Sequence, residues 1–248
     1  MKKWLLFVGT ALIVGGIVFF VFFSSSAEAP SQPINQTSTD NSPQPESSSE
    51  DFDKQQFSID QEDSIWLVVN KQRPISESYV PSDLVDVDVA KRGDKSAEEL
   101  KLRQASALAL QELFESAQSS GVNLLLGSAY RSADLQATYY NNYVANFGQA
   151  EADRFSAKPG TSEHQTGLSA DLSGIDKACY LETCFAETTE GKWLAGKAHE
   201  FGFIIRYPEG KEVITGYQYE PWHIRYVGKD LAKELYDANL TMEEFFDL

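Results

Sequence analysis

The run Trp4–Phe23, "WLLFVGTALIVGGIVFFVFF", holds no charged residue and follows Lys2 and Lys3. About 20 apolar residues span a bilayer, whereas the apolar core of a cleaved leader is about 7–15 residues. Residues 1–23 therefore read as an uncleaved signal-anchor and transmembrane segment. The triplet Ala27-Glu28-Ala29 keeps cleavage and secretion as the alternative. Lysines before the span and acids after it put the N-terminus inside and the bulk of the chain outside. No cysteine lies near the span, which excludes a lipidated cysteine anchor and suits a Gram-positive cell surface.

Residues 24–57 are dominated by Ser, Pro, Gln, Asn and acids. Such a stretch cannot bury enough apolar surface to offset chain entropy, so it reads as a disordered tether. Its mean reach is on the order of 30 Å. Any packed fold is thereby confined to residues 58–248, a length suited to one domain.

Within that domain, "SIWLVV" (Ser64 to Val69) predicts a short buried strand. "EELKLRQASALALQELFESAQSSG" has near-helical apolar spacing and a stop at Gly121. "VNLLLGSAY" predicts a strand, and "ADLQATYYNNYVANFG" a helix started by Ser132 and ended by Gly148. "GLSADLS" alternates like a strand, "GKWLAGKAHEFG" is a helix closed by Gly202, and "FIIRYP" is a strand. "PWHIRYVG" places His223, Arg225 and Val227 on one face and Trp222, Ile224 and Tyr226 on the other. The C-terminus is helical with a break near Asn239. Strands and helices mix without a strict βαβ rhythm, which predicts an α+β fold with a largely antiparallel sheet flanked by helices.

The 248 residues include 37 acids and 21 Lys or Arg, a net charge of -16. Nucleic acid as a partner is excluded on that ground, since phosphate binding needs a basic surface. Cys179 and Cys184, the only cysteines, bracket "YLET". Outside the cytoplasm such a pair suits a local disulfide. The alternative, half of a structural zinc site, needs two further nearby ligands, and none is evident.

Two imidazoles and a carboxylate, His164, Asp171 and His223, form a donor set that Zn²⁺ accepts, with a fourth position left for water. Spacing alone does not join them: a single strand histidine is more often packed, and a single aspartate is usually solvated. Glu220, three residues before His223, is biased away from the α region by Pro221. A carboxylate there can work as general base and then general acid. Arg131 lies between a strand and a helix, where free backbone N–H groups gather, and its fork matches a carboxylate.

"YRSADLQ", "GTSEHQTGLSADLS", "GFIIRYPEGKEVITGYQYEPWHIRYVG" and "WLVVNKQRPI...YVPSDLV" together resemble the VanY-type zinc carboxypeptidases of bacterial cell walls. The group includes D-Ala-D-Ala carboxypeptidases and related L,D-carboxypeptidases and is related in fold to the Hedgehog signalling domain. The resemblance runs from about Ser64 to Leu240. It implies a Hedgehog/DD-peptidase-like fold and one zinc ion held by His164, Asp171 and His223. It further implies Glu220 as the catalytic base and Arg131, Gln136 and Ser162 on the substrate, with Tyr207 and Trp222 lining the pocket. The expected activity of such a monomer is removal of the C-terminal D-alanine from peptidoglycan stem peptides. The alternatives are an L,D-carboxypeptidase on tetrapeptide stems, an endopeptidase, or a non-catalytic wall-binding module. His199 has no place in this pattern and reads as structural.

Overall fold

The computed structural model describes residues 52–248. The expected anchor and nearly all of the expected tether lie outside the described residues. Among the described residues no helix is long and apolar enough to cross a membrane.

The domain begins with an irregular segment and then two short strands, β1 (Leu84–Asp86) and β2 (Lys101–Arg103), paired antiparallel. Helix α1 (Gln104–Ser119) follows directly. Strand β3 (Leu124–Ser128) leads into α2 (Ala133–Phe147) and α3 (Gln149–Phe155). Next come β4 (Ser169–Gly174), α4 (Thr189–Lys197) and β5 (Phe203–Tyr207). The chain closes with α5 (Glu212–Thr215), β6 (Glu220–Tyr226), α6 (Lys229–Ala238) and α7 (Met242–Phe245). A four-stranded antiparallel sheet in the order β3-β4-β6-β5 forms the centre. The α+β expectation thus holds for the described residues.

Two apolar clusters hold the layers together. One packs Ala107, Leu110, Leu113 and Ala117 of α1 and Leu194 of α4 against Leu126, Ala170, Leu172 and Ile224 of the sheet. The other joins Trp66 and Val68 to Ile204, Val227 and the residues Leu231, Leu235, Met242 and Phe245 of the C-terminal helices. Fully burying each Leu, Ile, Val, Phe or Met of these clusters contributes about 1.5–3 kcal/mol.

Local chemistry explains most boundaries. Ser132 caps α2 by accepting a hydrogen bond from the Leu135 N–H, and Gly148 ends it with φ 82°. Asn239, in the left-handed region at φ 53°, ends α6, and a Thr241/Glu244 capping box starts α7. Two expectations fail. In Ser64–Val69 the residues Trp66 to Val69 are buried, but the segment forms no ladder. Its Ile65 and Leu67 carbonyls instead accept from the Arg225 guanidinium, at 3.1 and 2.7 Å. The helix expected from Glu98 starts at Gln104. Glu98–Leu100 is a 3₁₀ turn, and Lys101–Arg103 follows a two-residue alternation, with Leu102 fully buried between half-buried neighbours.

Gly167 joins the turn carrying His164 to the strand carrying Asp171, at φ +67°. A Cβ there would lie 2.9 Å from Leu84 Cδ2 and 3.0 Å from Arg103 Cγ. Left-handed backbone costs an L-residue about 1–2 kcal/mol before any clash. Gly167→Ala should therefore lower stability by at least about 1 kcal/mol in denaturant titration. An unchanged midpoint would show that the turn relaxes freely.

Candidate active site

The β4–β6 pairing sets Asp171 directly opposite His223. His164 arrives from the 3₁₀ turn Glu163–Thr166, which Gly167 closes in the left-handed conformation. All three side chains are buried, and each offers a ligand atom within 4.8 Å of the others. His164 Nε2 is 3.3 Å from Asp171 Oδ2, and His223 Nδ1 is 3.2 Å from Asp171 Oδ1. Bonds of about 2.05 Å in tetrahedral geometry put donors about 3.3 Å apart. Each imidazole lies near that distance from its own Asp171 oxygen, so the donor set suits a zinc ion.

The surroundings orient these donors. The Ala129 carbonyl, 2.6 Å from His164 Nδ1, can only accept, so Nδ1 carries the proton and Nε2 faces the other donors. Ser128 Oγ donates to Asp171 Oδ2 at 2.5 Å. His223 Nε2 is buried without a hydrogen-bond partner, and the nearest carboxylate oxygen, Glu163 Oε2, is 3.7 Å away.

Charge in this enclosure is held by opposition. Burial disfavours the Asp171 carboxylate, but His164 and His223 outweigh it and hold its pKa well below the usual range. Burial likewise works against a charged His223, yet Asp171 and Glu163 raise its pKa to about 9. Burial lowers that of His164, against the opposing pull of Asp171.

Glu220 opens β6, with Oε2 3.8 Å from His223 Nδ1. Burial is the main cause that pushes its carboxyl up to about 8. Tyr207, opposite Glu220 across β5–β6, sets its ring 4.9 Å from that of His223 and 4.8 Å from that of Tyr217. On the other wall, Arg131 donates to Gln136 Oε1 at 3.0 Å, and Gln136 donates to the Ala157 carbonyl at 2.6 Å. The guanidinium lies 4.9 Å over the Tyr139 ring. Ser162 and Trp222 line the same cleft of about 330 Å³. The structure thus brings together the nine sequence-derived positions: His164, Asp171, His223, Glu220, Arg131, Gln136, Ser162, Tyr207 and Trp222. Cys179 and Cys184 form a disulfide, Cα atoms 5.5 Å apart, in a loop whose Leu181 reaches the cleft rim. His199 stands apart, stacked on Tyr236.

Sequence reasoning missed Ser128, Tyr217 and above all Glu163. Glu163 is 1% exposed and accepts from Arg206 Nε at 2.7 Å and from an Arg225 Nη at 2.8 Å. The available signal was a charged residue on each of two otherwise apolar strands, "FIIRYP" and "PWHIRY".

Two histidines and an aspartate beside a buried glutamate and a cleft-facing arginine define a metallopeptidase type of site. The family model for VanY, D-alanyl-D-alanine carboxypeptidase, matches residues 99–229. The chain belongs to this family of carboxypeptidases. It is 43% identical over 189 residues to the putative carboxypeptidase YodJ of Bacillus subtilis (strain 168), covering 76% of this chain and 69% of that protein. The solved LdcB LD-carboxypeptidase superposes with a TM-score of 0.71 at 43% identity, over 75% of this chain and 87% of that one. A mutant of a VanY D,D-pentapeptidase from a VanB-type resistance cassette, solved in complex with Zn(II), gives 0.58 at 32% identity. That match covers 73% of this chain and 97% of the other.

A histidine that ligates zinc must be a neutral imidazole. His223 without metal titrates at about 9, so at pH 7 it is protonated and must release that proton to coordinate. Zinc affinity should fall about tenfold per pH unit below 9 from this group alone and level off above it. Calorimetry at pH 7 in buffers of different ionisation enthalpy should show proton release on zinc binding. No release would mean that His223 is already neutral.

Proposed function

We propose that the protein is a zinc-dependent D-alanyl-D-alanine carboxypeptidase that trims the C-terminal D-alanine from peptidoglycan stem peptides. The supporting observation is the convergence of His164, Asp171 and His223 with Glu220 and Arg131 in one cleft. His164, Asp171 and His223 hold the metal. When bound, zinc supplies Lewis acidity toward a carbonyl and toward water. The remaining work falls to side chains. Glu220, whose pKa burial raises to about 8, works from its carboxylate form, taking a proton from water and returning it to the departing amine. Arg131, held by Gln136, grips the terminal carboxylate or the neighbouring carbonyl, with Ser162 assisting. Anchoring one carboxylate limits the reaction to a single residue at the peptide end.

A second reading is favoured by one observation, the 0.71 TM-score and 43% identity to the LdcB LD-carboxypeptidase. On that reading the substrate is the tetrapeptide, and the penultimate residue is an L-amino acid. We propose further that residues 1–23 anchor the chain in the cell membrane and that the segment after them tethers the domain on the outer face of a Gram-positive-type cell, ending before Phe52 and Phe57, which pack on Trp66. The domain works as a monomer on stem peptides.

Mass spectrometry after incubation with defined pentapeptide and tetrapeptide stems tests both readings. Loss of one alanine from the pentapeptide alone supports the first, and loss from the tetrapeptide alone the second. Glu220→Gln should lower kcat about 10²–10⁴-fold while zinc stays bound. Near-normal turnover would overturn the assignment of the base. Arg131→Ala should weaken kcat/KM about 10–100-fold on a free carboxylate, and far less on an amidated terminus. Equal losses on both would remove the anchor role.

A further inference from the structure

The His223 imidazole has one nitrogen toward Asp171 and one toward the protein interior. With Nδ1 committed to a metal, a neutral ring carries its proton on Nε2. That atom is buried and has no hydrogen-bond partner. A buried donor left unpaired is costly, and metal-bound histidines usually donate from the second nitrogen to a carboxylate or carbonyl. The atom facing it is Glu163 Oε2, 3.7 Å away. A shift of under about 1 Å brings this separation into hydrogen-bond range.

Glu163 is held from behind by buried partners. Its Oε1 accepts from Arg206 Nε at 2.7 Å and an Arg225 Nη at 2.8 Å, which leaves Oε2 to Ser169 Oγ, at 3.2 Å, and to His223. Arg206 in turn forks onto Glu243 of α7, at 2.8 and 2.6 Å, and Asn70 donates to the same carboxylate at 3.0 Å. Glu163, Arg206, Arg225 and Glu243 are each at most 3% exposed. None of the four is a candidate metal ligand. Two carboxylates and two guanidiniums balance, and they reach from the C-terminal helix to the back of the metal site.

We propose that Glu163 is a positioning residue that fixes the tautomer and tilt of His223. Glu243, acting through Arg206, holds Glu163 in place, so the C-terminal helix sets the affinity of the site for its metal. This rests on the reading of His164, Asp171 and His223 as the metal site. The chain has only three histidines, so their ring nitrogens can be followed individually.

The test is ¹⁵N NMR of the full-length chain labelled at histidine, with zinc bound, together with chelator competition for zinc affinity. In the wild type, His223 should show an Nε2–H tautomer with a proton protected from exchange, and His164 an Nδ1–H tautomer. Glu163→Gln should weaken zinc binding about 10–100-fold. Glu243→Gln should weaken it less, and both variants should expose the His223 proton to exchange. Melting of the metal-free forms, run in parallel, separates positioning from stability. A lower melting point with wild-type zinc affinity and an unchanged His223 proton would overturn the proposal. If Glu163→Gln does not fold, Glu243→Gln and the wild-type tautomer decide. An Nδ1–H tautomer at His223, or an Nε2 proton that exchanges as fast as in free imidazole, also overturns it. A wild-type chain that takes up no zinc would remove the metal-site reading itself, a result distinct from tight and equal binding by wild type and variants.

Discussion

The pairing of β4 with β6 is the constraint on which the site depends. Asp171 stands opposite His223, and Ala170 and Ser169 stand opposite Ile224 and Arg225. A slip of one residue would turn Asp171 away and bring Ala170 to the metal face. The apolar pattern prevents this, because Ala170, Leu172 and Ile224 must stay in the main core. Both flanking strands carry a register shift beside the site. The β3–β4 register shifts between Leu126 and Ser128, which places Ser128 opposite Asp171. The β5–β6 register shifts between Ile205 and Tyr207, which places Tyr207 opposite Glu220. Such irregularities re-aim side chains beside active sites. Here they bring one hydroxyl to the metal-site carboxylate and one phenol ring beside the base.

Holding several charges in a buried site requires that their fields cancel. Behind His223, burial alone would neutralise Glu163, yet Arg206 and Arg225 keep its pKa low. Burial opposes a charged Arg206, and Glu163 with Glu243 overcomes that opposition. A buried network of this kind adds little net stability over an apolar replacement, although breaking one partner is strongly destabilising. Its value lies in specificity of position. The same network explains why Ser64–Val69 is not a strand: Arg225 has taken two of its carbonyls.

Legibility in the sequence tracks the range of the interaction concerned. Caps and breaks at Ser132, Gly148, Gly202 and Asn239 depend on one or two residues, and the structure shows each where it was expected. The alternation in "GLSADLS" and "PWHIRY" likewise gives β4 and β6. The cleft residues were legible because the motifs around His164 and His223 are short and matched a family pattern. Glu163 was not, although it sits between Ser162 and His164, because its partners lie 43, 62 and 60 residues away, at Arg206, Arg225 and His223. The strand pair β1–β2 was missed for a related reason. Three-residue strands give too short an alternation to stand out from the adjoining helix.

The chemistry and the selectivity of the cleft are built from different materials. Asp171, His223 and Glu220 belong to the sheet, His164 to the turn that enters β4, and their supports to the buried charges behind, where substitution disturbs the core. The opposite rim is formed by Tyr143 of α2, Phe155 of α3 and Leu181 of the disulfide loop, with Tyr143 and Leu181 exposed. Lys177, Cys179 and Leu181 all take positive φ there, a backbone path that departs from any regular element. The Cys179–Cys184 bond closes this short loop and restrains Leu181 without touching the metal site. Rim residues can change at little cost to the sheet, so the metal-site residues can stay fixed while the rim varies. The solved structures similar to this chain include an LD-carboxypeptidase and a D,D-pentapeptidase, a pairing that such a division allows.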